Sequence, residues 1–166
     1  MIFVTVGTHD QEFARLLKRI DEIAPKIQEE IVIQRGFTRY IPKNCKSFRF
    51  APDLSPYFKK ASLIVAHAGM GTSIEVLRQI KKPLIIVPRQ HKFDEHINDH
   101  QVGMAKHFEK KWGVKVICDM KEITPEILKN YRKIIEMHDN DMIKIRKYLK
   151  RIILEIRRKN ESKKQT

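Results

Sequence analysis

One unit, residues 61–77, constrains the fold of this chain more than any other stretch. It begins with a short apolar run, Leu63–Ala66, which predicts a buried strand. A turn follows that contains a histidine, two glycines and a threonine: His67, Gly69, Gly71 and Thr72. Apolar residues then recur at helical spacing, at Ile74, Leu77 and Ile80. Backbone N–H groups in a glycine-rich turn that opens a helix can bind phosphate oxygens, so the unit predicts an anion site.

A second unit of the same kind opens the chain. The β-branched, apolar run Ile2–Val6 predicts a strand, and the turn after it contains Gly7, Thr8, His9 and Asp10. Helical spacing follows at Phe13, Leu16, Leu17 and Ile20, for which Asp10 is the expected N-cap.

Further strands are predicted at residues 31–34, 47–50, 84–87 and 114–117. They alternate with helical segments along the chain. This alternation predicts the α/β class, with a Rossmann-like parallel sheet and helices on both faces.

The predicted sheet domain covers residues 1–120, and residues 121–159 are expected to form a C-terminal helical extension, continuous from Thr124. An apolar stripe runs along this extension at Met142, Ile145, Leu149, Ile152 and Ile156, with lysines and arginines on its other faces. Three roles are possible for this stripe: it packs on the domain's own core, it docks on a partner, or it lies on an anionic membrane surface. Residues 160–166 are predicted to be a disordered tail.

Composition narrows the possible classes. The 166 residues suffice for one core, and the formal net charge of +14 favours an anionic partner or substrate. Cys45 and Cys118 lack metal-ligand spacing, which indicates reduced thiols. No apolar run approaches the roughly 20 residues that span a bilayer, so a cytoplasmic protein is expected. No nucleic-acid-binding motif stands out.

Three polar segments follow predicted strands: the turns at Gly7 and Gly69, and the segment from Arg89 to Gln101. In an open α/β sheet they lie together at the carboxyl edge, where ligands bind. A P-loop Lys-Ser/Thr pair is missing, and His91, His96 and His100 have no fixed metal-ligand spacing, so neither a metal nor another cofactor is expected. The hydroxyl and N–H donors, with the Glu75 carboxylate, could hold a diphosphate and a diol.

Four stretches together resemble the donor-binding half of a GT-B glycosyltransferase. They are residues 4–8, 67–75, 82–90 and 95–101, in the order and spacing of that family. The group includes the C-terminal domain of glycosyltransferase family 28, the small subunit of the dolichol-pathway UDP-GlcNAc transferase and the matching subunits of exopolysaccharide and capsule transferases. The resemblance covers roughly residues 1–116.

The resemblance implies a role for each matching residue. Gly7, Thr8, His67, Gly69, Gly71 and Thr72 are expected to bind the donor diphosphate. Glu75 is expected to bind the ribose, and Phe50 and Ala51 the uracil. Arg89, Gln90, His100 and Gln101 match positions near the donor sugar. His9 is the candidate catalytic residue, as the general base that deprotonates the acceptor hydroxyl, and the alternative is a base supplied by the partner subunit.

The resemblance also implies that the chain is half of an enzyme. It would move a sugar from a UDP-sugar to a polyprenyl- or dolichyl-diphosphate-linked acceptor with inversion, on the cytoplasmic membrane face. A membrane-anchored, acceptor-binding subunit would complete a heterodimer and hold the chain at the membrane. Two alternatives remain open: a non-catalytic basic module that binds nucleic acid or an anionic membrane, and a UDP-sugar epimerase.

Overall fold

The computed structural model describes residues 1–162 and divides the chain into two compact units, the first covering Met1–Glu136 and the second beginning at Met137. The first unit therefore continues beyond the predicted boundary at residue 120 and includes part of the predicted helical extension. Residues 163–166 of the predicted tail lie outside the described residues.

A six-stranded parallel sheet forms the centre of the first unit, with the order β3-β2-β1-β4-β5-β6. The strands are β1 (Ile2–Thr5), β2 (Ile31–Gln34), β3 (Lys46–Phe48), β4 (Leu63–His67), β5 (Leu84–Val87) and β6 (Lys115–Val116). This confirms the predicted fold class, and every predicted strand exists. The two apolar runs that start the glycine-rich units, β1 and β4, lie side by side at the centre.

The central strands are buried on both faces, because helices pack on each side of the sheet. All residues of β1, β2 and β5 are buried, as is β4 up to His67 at its carboxyl end. The edge strand β3 is partly exposed, in line with its alternating sequence. The core under one face includes Phe13, Leu16 and Leu17 at the start of the first helix.

The helices are α1 (Ala14–Ile23), α2 (Ser55–Lys60), α3 (Met70–Ile74), α4 (His100–Trp112), α5 (Pro125–Asn130) and α6 (Asp139–Ser162). Short 3₁₀ turns occur at Ala24–Lys26, His91–Phe93 and Met120–Glu122. Helix α3 continues as a π-helical segment, Glu75–Ile80, which ends at Lys81 in the left-handed conformation.

The structure corrects three local predictions. Asp10 is not the N-cap of α1, because that helix begins at Ala14, and the Asp10 carboxylate accepts the Gln11 N–H instead. The chain after Thr124 is not continuously helical, since residues 131–138 separate α5 from α6. Helix α6 reaches Ser162, so residues 160–162 of the predicted tail are helical.

Helix α6 belongs to the second unit. Ile145 of its predicted apolar stripe is buried, while the side chains of Ile152 and Ile156 lie outside the described set. Among the helices of residues 1–162, none combines the length and the apolar character that crossing a membrane requires. Both cysteines are free thiols, as predicted, and burial raises the pKa of Cys45 to about 12.

Candidate functional site

The turns after β1, β4 and β5 meet at the carboxyl edge of the sheet, as the sequence predicts. β1 pairs directly with β4, and β4 pairs with β5, so their following turns are neighbours. The segment after β5 contains the 3₁₀ turn His91–Phe93 and ends in helix α4. In parallel sheets of this kind, ligands bind at this edge.

His67 lies between two glycines at the end of β4. A Cβ atom at Gly7 would lie 2.4 Å from Nε2 of its ring, and one at Gly69 would lie 2.0 Å from Cε1. Either distance is far below a normal contact, so a side chain at either position would require the His67 ring to move. Gly7 also has a φ of +75°, which disfavours any other residue. The two glycine-rich turns are thus fitted around one imidazole.

The hydrogen bond to His67 fixes its ionisation state. The Gly69 N–H donates to Nδ1 of His67 at 3.0 Å, so this nitrogen carries no proton. Burial, and after it the positive charge of Arg89, lowers the pKa of His67 to about 3. A neutral His67 supports the Gly69 turn from beneath.

Gly71 faces open space: a Cβ atom built there would have no neighbour within 4 Å. Thr72 beside it is half-buried and Thr8 of the first turn is exposed, so both hydroxyls lie near the surface. Glu75 begins the π-helical segment, and its Oε1 lies 3.4 Å from the Ser55 hydroxyl. A shallow polar surface therefore follows β4, with room above Gly71.

Gln34 holds the Gly7 turn, and the sequence did not single it out. Its side chain is buried at the end of β2, where Oε1 accepts the Thr5 hydroxyl at 2.6 Å and the Gly7 N–H at 3.2 Å. Its Nε2 donates to the carbonyls of Gly7 at 3.0 Å and Arg49 at 2.9 Å. A polar residue that ends an otherwise apolar strand is the signal that could have identified it.

Arg89, which was predicted near the donor sugar, lies beneath the site with its side chain hydrogen-bonded to the backbone. Its side chain is fully buried, and its guanidinium donates to four backbone carbonyls. These belong to Val6 (2.9 Å), Gln11 (2.7 Å), Glu12 (3.3 Å) and Glu95 (3.1 Å). Arg89 thus ties the turn after β1 to the segment after β5.

Gln90 and Gln101 are also buried, with 7% and 5% of their surfaces exposed. The Gln90 side chain donates to the Cys118 carbonyl at 2.9 Å, and Gln101 Oε1 accepts the Arg89 N–H at 3.3 Å. These contacts hold the loop in place and leave little of either side chain for a sugar. Of the four residues predicted near the sugar, His100 is the exposed one.

A buried ion pair supports the same loop and was also missed. Arg15 Nε lies 2.7 Å from Glu95 Oε1, and the other Glu95 oxygen accepts the Gln90 N–H at 3.0 Å. Arg15 further donates to the carbonyls of Pro88 and Cys118. Burial raises the pKa of Glu95, although the two hydrogen bonds oppose that shift. Its place between α1 and the loop depends on the fold, not on local sequence.

Three histidines form a stack at the edge of the site. The rings of His9 and His96 are nearly parallel with centroids 4.3 Å apart, and His96 and His100 meet edge to face, also at 4.3 Å. The sequence selected His9 and His100 but assigned no role to His96. Across the described residues, no group of three or more histidine, cysteine or acidic side chains has the geometry of a metal site.

Phe50, predicted beside the uracil, is 44% exposed and packs against Phe37, with ring centroids 5.0 Å apart. The Arg49 guanidinium lies 5.6 Å from the Phe50 ring centroid and 5.8 Å from that of Phe37. Ala51 is half-buried beside them. An exposed aromatic pair follows β2 and β3 at the same edge as the glycine turns, and Phe37 was not predicted.

Fold and site together define the class: a Rossmann-like domain with its ligand edge at the carboxyl ends of the strands, as in GT-B glycosyltransferases. The model of the glycosyltransferase family 28 C-terminal domain matches residues 1–151. The chain belongs to this family, which confirms the predicted resemblance.

Similar proteins include the human UDP-N-acetylglucosamine transferase subunit ALG13, which is 27% identical over 134 residues. That match covers 74% of this chain and 11% of the human protein. The Candida albicans protein of the same name is 31% identical over 64 residues, covering 39% of this chain and 20% of that protein. The chain thus spans about a tenth of the human relative and a fifth of the Candida one.

Two solved structures share the fold. The glycosyltransferase SnogD from Streptomyces nogalater has a TM-score of 0.59 at 17% identity, over 78% of this chain and 34% of that one. Acinetobacter baumannii MurG has a TM-score of 0.50 at 22% identity, over 75% of this chain and 38% of that one. In both cases the chain corresponds to about a third of the larger structure.

Proposed function

We propose that this chain binds the donor of a UDP-sugar-dependent glycosyltransferase and acts together with a second, acceptor-binding subunit. The observation that carries the proposal is the open turn at Gly71, at the ligand edge of a family 28 C-terminal domain. Its relatives named as UDP-N-acetylglucosamine transferase subunits support the same donor class.

The diphosphate would lie over the turn from Gly69 to Thr72. Gly71 leaves space for close approach, and Thr72 and Thr8 offer hydroxyl donors near the surface. Gly7 and His67 would contribute by shaping the turn rather than through charge, because His67 is neutral. Donors oriented before the reaction stabilise charge on a leaving diphosphate without a metal.

The nucleoside would extend from this turn toward β2 and β3. Glu75 would accept hydrogen bonds from the ribose hydroxyls, with Ser55 beside it to orient the carboxylate. The uracil would lie near Phe50 and Ala51, where an exposed aromatic surface is available for stacking.

Transfer would proceed by direct displacement. The acceptor hydroxyl oxygen forms a bond to the anomeric carbon, while the bond from that carbon to the diphosphate oxygen breaks and UDP leaves. The acceptor proton must pass to a base. His9 Nε2 lies 2.9 Å from Gln11 Oε1, and Nδ1 lies 3.3 Å from Asp10 Oδ1. Two facing acceptors fit a protonated ring, so we propose that His9 stabilises the leaving group and that the partner supplies the base.

The partner and the acceptor follow from the same proposal. Because relatives of this chain are named as transferase subunits, we propose that a separate, membrane-anchored subunit supplies the acceptor-binding half. The acceptor would be a polyprenyl- or dolichyl-diphosphate-linked saccharide, and the partner would hold this chain at the cytoplasmic membrane face. No metal or other cofactor is required by this scheme.

Calorimetric titration with UDP tests donor binding. We expect micromolar to millimolar affinity for the isolated chain and a loss of at least tenfold in Glu75→Ala, because the ribose hydroxyls lose their acceptor. Glu109→Ala removes an exposed carboxylate on α4 and serves as the matched control. If neither UDP nor any UDP-sugar binds, the proposal is wrong.

Activity requires a second assay. The chain co-expressed with its candidate partner should transfer radiolabelled sugar to a lipid-diphosphate acceptor, whereas either subunit alone should not. Transfer by this chain alone would contradict the two-subunit scheme. Conversion of a free UDP-sugar to its epimer without acceptor would favour the epimerase alternative instead.

A further inference from the structure

The His9, His96 and His100 stack connects two segments of the site through direct ring contacts. His9 comes from the turn after β1, while His96 and His100 come from the segment between β5 and the start of α4. Both ring pairs have centroids 4.3 Å apart. At this distance a positive charge on one ring disfavours a positive charge on its neighbour.

Hydrogen bonds fix which nitrogens of the two end rings hold protons. Both nitrogens of His9 face acceptor oxygens, from Gln11 and Asp10. The Gln11 amide orientation is fixed because its Nε2 donates to the Asp94 carbonyl at 3.1 Å. His100 Nδ1 contacts Asn98 Oδ1, an atom that accepts but cannot donate. His100 therefore carries its proton on Nδ1, and Nε2 keeps the basic lone pair.

His96 separates the two end rings as a neutral spacer. It is 7% exposed, and its Nδ1 has no hydrogen-bond partner within residues 1–162. Burial lowers its pKa to about 4, and the charges of His100, His9 and Arg89 act in the same direction. Burial also lowers the pKa of His100, with a further contribution from His9. Without bound nucleotide, a proton on His9 therefore disfavours a second proton on His96 or His100 near neutral pH.

Titratable and charged groups lie on each element next to the stack. They are Asp10 after β1, Arg15 on α1, His67 at the end of β4, Arg89 after β5, and His91, Asp94, Glu95 and Asp99 in the following loop. Glu95 is paired with Arg15, and Asp99 accepts the His91 N–H. Arg89 opposes protonation of His96 and Asp10 favours it. His9 follows Gly7 by two residues, and Gly7 and Gly69 both lie against the His67 ring, which places the stack beside the proposed diphosphate site.

We propose that the stack takes up one proton, on Nε2 of His100, when a nucleoside diphosphate sugar binds at the adjoining glycine turn. The diphosphate brings two negative charges, which offset the repulsion between protonated His9 and His100, while His96 stays neutral between them. The inference rests on the proposed function. It adds that donor binding changes the charge of the site and leaves a cationic, exposed His100 at its edge.

Isothermal titration calorimetry with a UDP-sugar measures this uptake. The sugar-linked diphosphate has no group that titrates near pH 7, so any linked proton belongs to the protein. Titrations at pH 7 in PIPES, MOPS and Tris give observed enthalpies whose slope against buffer ionisation enthalpy is the number of protons bound. We expect roughly 0.5–1 proton per nucleotide for the unmodified chain. Side-chain ¹⁵N spectra of the histidines identify the ring that gains it.

Three variants separate the roles within the stack. His100→Gln should bind the UDP-sugar with a slope near zero. His96→Phe should retain the uptake, because an aromatic ring of similar size preserves the spacer. His107→Gln removes a histidine of α4 that contacts Trp112 instead of the stack, and it should match the unmodified chain. Melting temperatures of all three check that each variant is folded.

Three kinds of result would overturn the inference, and the third would also overturn the proposed function. UDP-sugar binding with no buffer dependence contradicts proton uptake but leaves the proposed function intact. Uptake that persists in His100→Gln, or that disappears in His96→Phe, assigns the proton to another group. Absence of UDP-sugar binding would overturn both the proposed function and this inference.

Discussion

The Gly69 N–H donates to Nδ1 of His67 at 3.0 Å, while the His67 ring occupies the space that a Gly69 side chain would need. One contact therefore fixes both the conformation of the turn and the neutral state of the imidazole. Gly7 packs against the same ring from the turn after β1. The two glycine-rich units of the sequence are joined through this histidine, and the site depends on their fit.

Gly69→Ala should disrupt that fit. Its Cβ would lie 2.0 Å from His67 Cε1, and the ring is confined by Gly7 on its other side. We expect a loss of about 1–3 kcal/mol in the free energy of unfolding, measured in urea, together with loss of UDP binding. Unchanged stability in this variant would show that the ring can move aside.

Gly71→Ala is the matched comparison and should separate binding from stability. Nothing lies within 4 Å of its added methyl group, and alanine in α3 is favoured over glycine by about 1 kcal/mol. The melting temperature should stay constant or rise, whereas UDP affinity should fall at least tenfold if the diphosphate lies over this position. Equal affinities in the two proteins would place the diphosphate elsewhere.

Much of this arrangement could be predicted from sequence, because the central strands are buried on both faces and read as apolar runs bounded by turns. Once β1 and β4 were recognised, parallel pairing placed the turns at Gly7 and Gly69 at one edge. The role of Arg89 could not be read in this way, since a charged residue after a strand usually faces solvent. Only the fold brings the carbonyls of Val6 and Gln11 to its guanidinium.

Predictions of local helix boundaries were wrong for a related reason, because they too depend on long-range contacts. Asp10 has the residue type of an N-cap, yet the chain stays irregular until Ala14, and the Phe13 N–H donates to the distant Thr38 hydroxyl at 3.0 Å. The π-helical segment Glu75–Ile80 has the same apolar spacing as an α-helix at this length. Long-range contacts decide such cases, and sequence periodicity does not contain them.

Arg89→Met should destabilise the protein although the side-chain length is similar. Four backbone carbonyls lose a charged donor in a buried position, so we expect a loss of about 3–5 kcal/mol in the free energy of unfolding. Arg39→Met, whose side chain is 92% exposed, should change it by less than about 0.5 kcal/mol. A stable Arg89→Met protein with weakened binding of the donor sugar would restore the role that the sequence predicted.

Stability should fall as the pH drops below neutrality. Burial lowers the pKa of His67 from 6.5 to about 3 and that of His96 to about 4, so between these values and pH 6.5 the unfolded chain binds more protons than the folded one. Glu95, whose pKa is raised from 4.5, acts in the opposite sense at pH values above 4.5 and offsets part of this loss. We expect the melting temperature to fall by roughly 5–10 °C from pH 7 to pH 5. His67→Gln should reduce this pH dependence. An equal slope of melting temperature against pH in the variant and the unmodified chain would contradict the role of His67.

Gln34→Glu tests whether the Gln34 side chain holds the Gly7 turn, because glutamate has almost the same shape as glutamine. A carboxylate still accepts from Thr5 and Gly7, but it cannot donate to the Gly7 and Arg49 carbonyls. Two acceptors are left facing a buried negative charge, so we expect a loss of about 2–4 kcal/mol in the free energy of unfolding at pH 7. Lowering the pH should recover part of it by protonating the new carboxyl. Urea denaturation at pH 7 and pH 5 measures both effects. Equal stability of the variant and the unmodified chain at pH 7 would contradict this role of Gln34.

Phe50→Ala should weaken nucleotide binding more than diphosphate binding. The Phe50 ring is 44% exposed and is held by Phe37 at 5.0 Å, so its removal leaves the core intact while deleting the stacking surface proposed for uracil. Stacking of one base on an aromatic ring contributes about 1–3 kcal/mol, which corresponds to roughly a 5- to 150-fold loss of UDP affinity.

Pyrophosphate, which has no base, should bind the variant and the unmodified chain equally. Phe37→Ala should have a smaller effect on UDP, because it removes only the support of Phe50. A parallel loss of UDP and pyrophosphate binding in Phe50→Ala would indicate a disturbed site and contradict a stacking role.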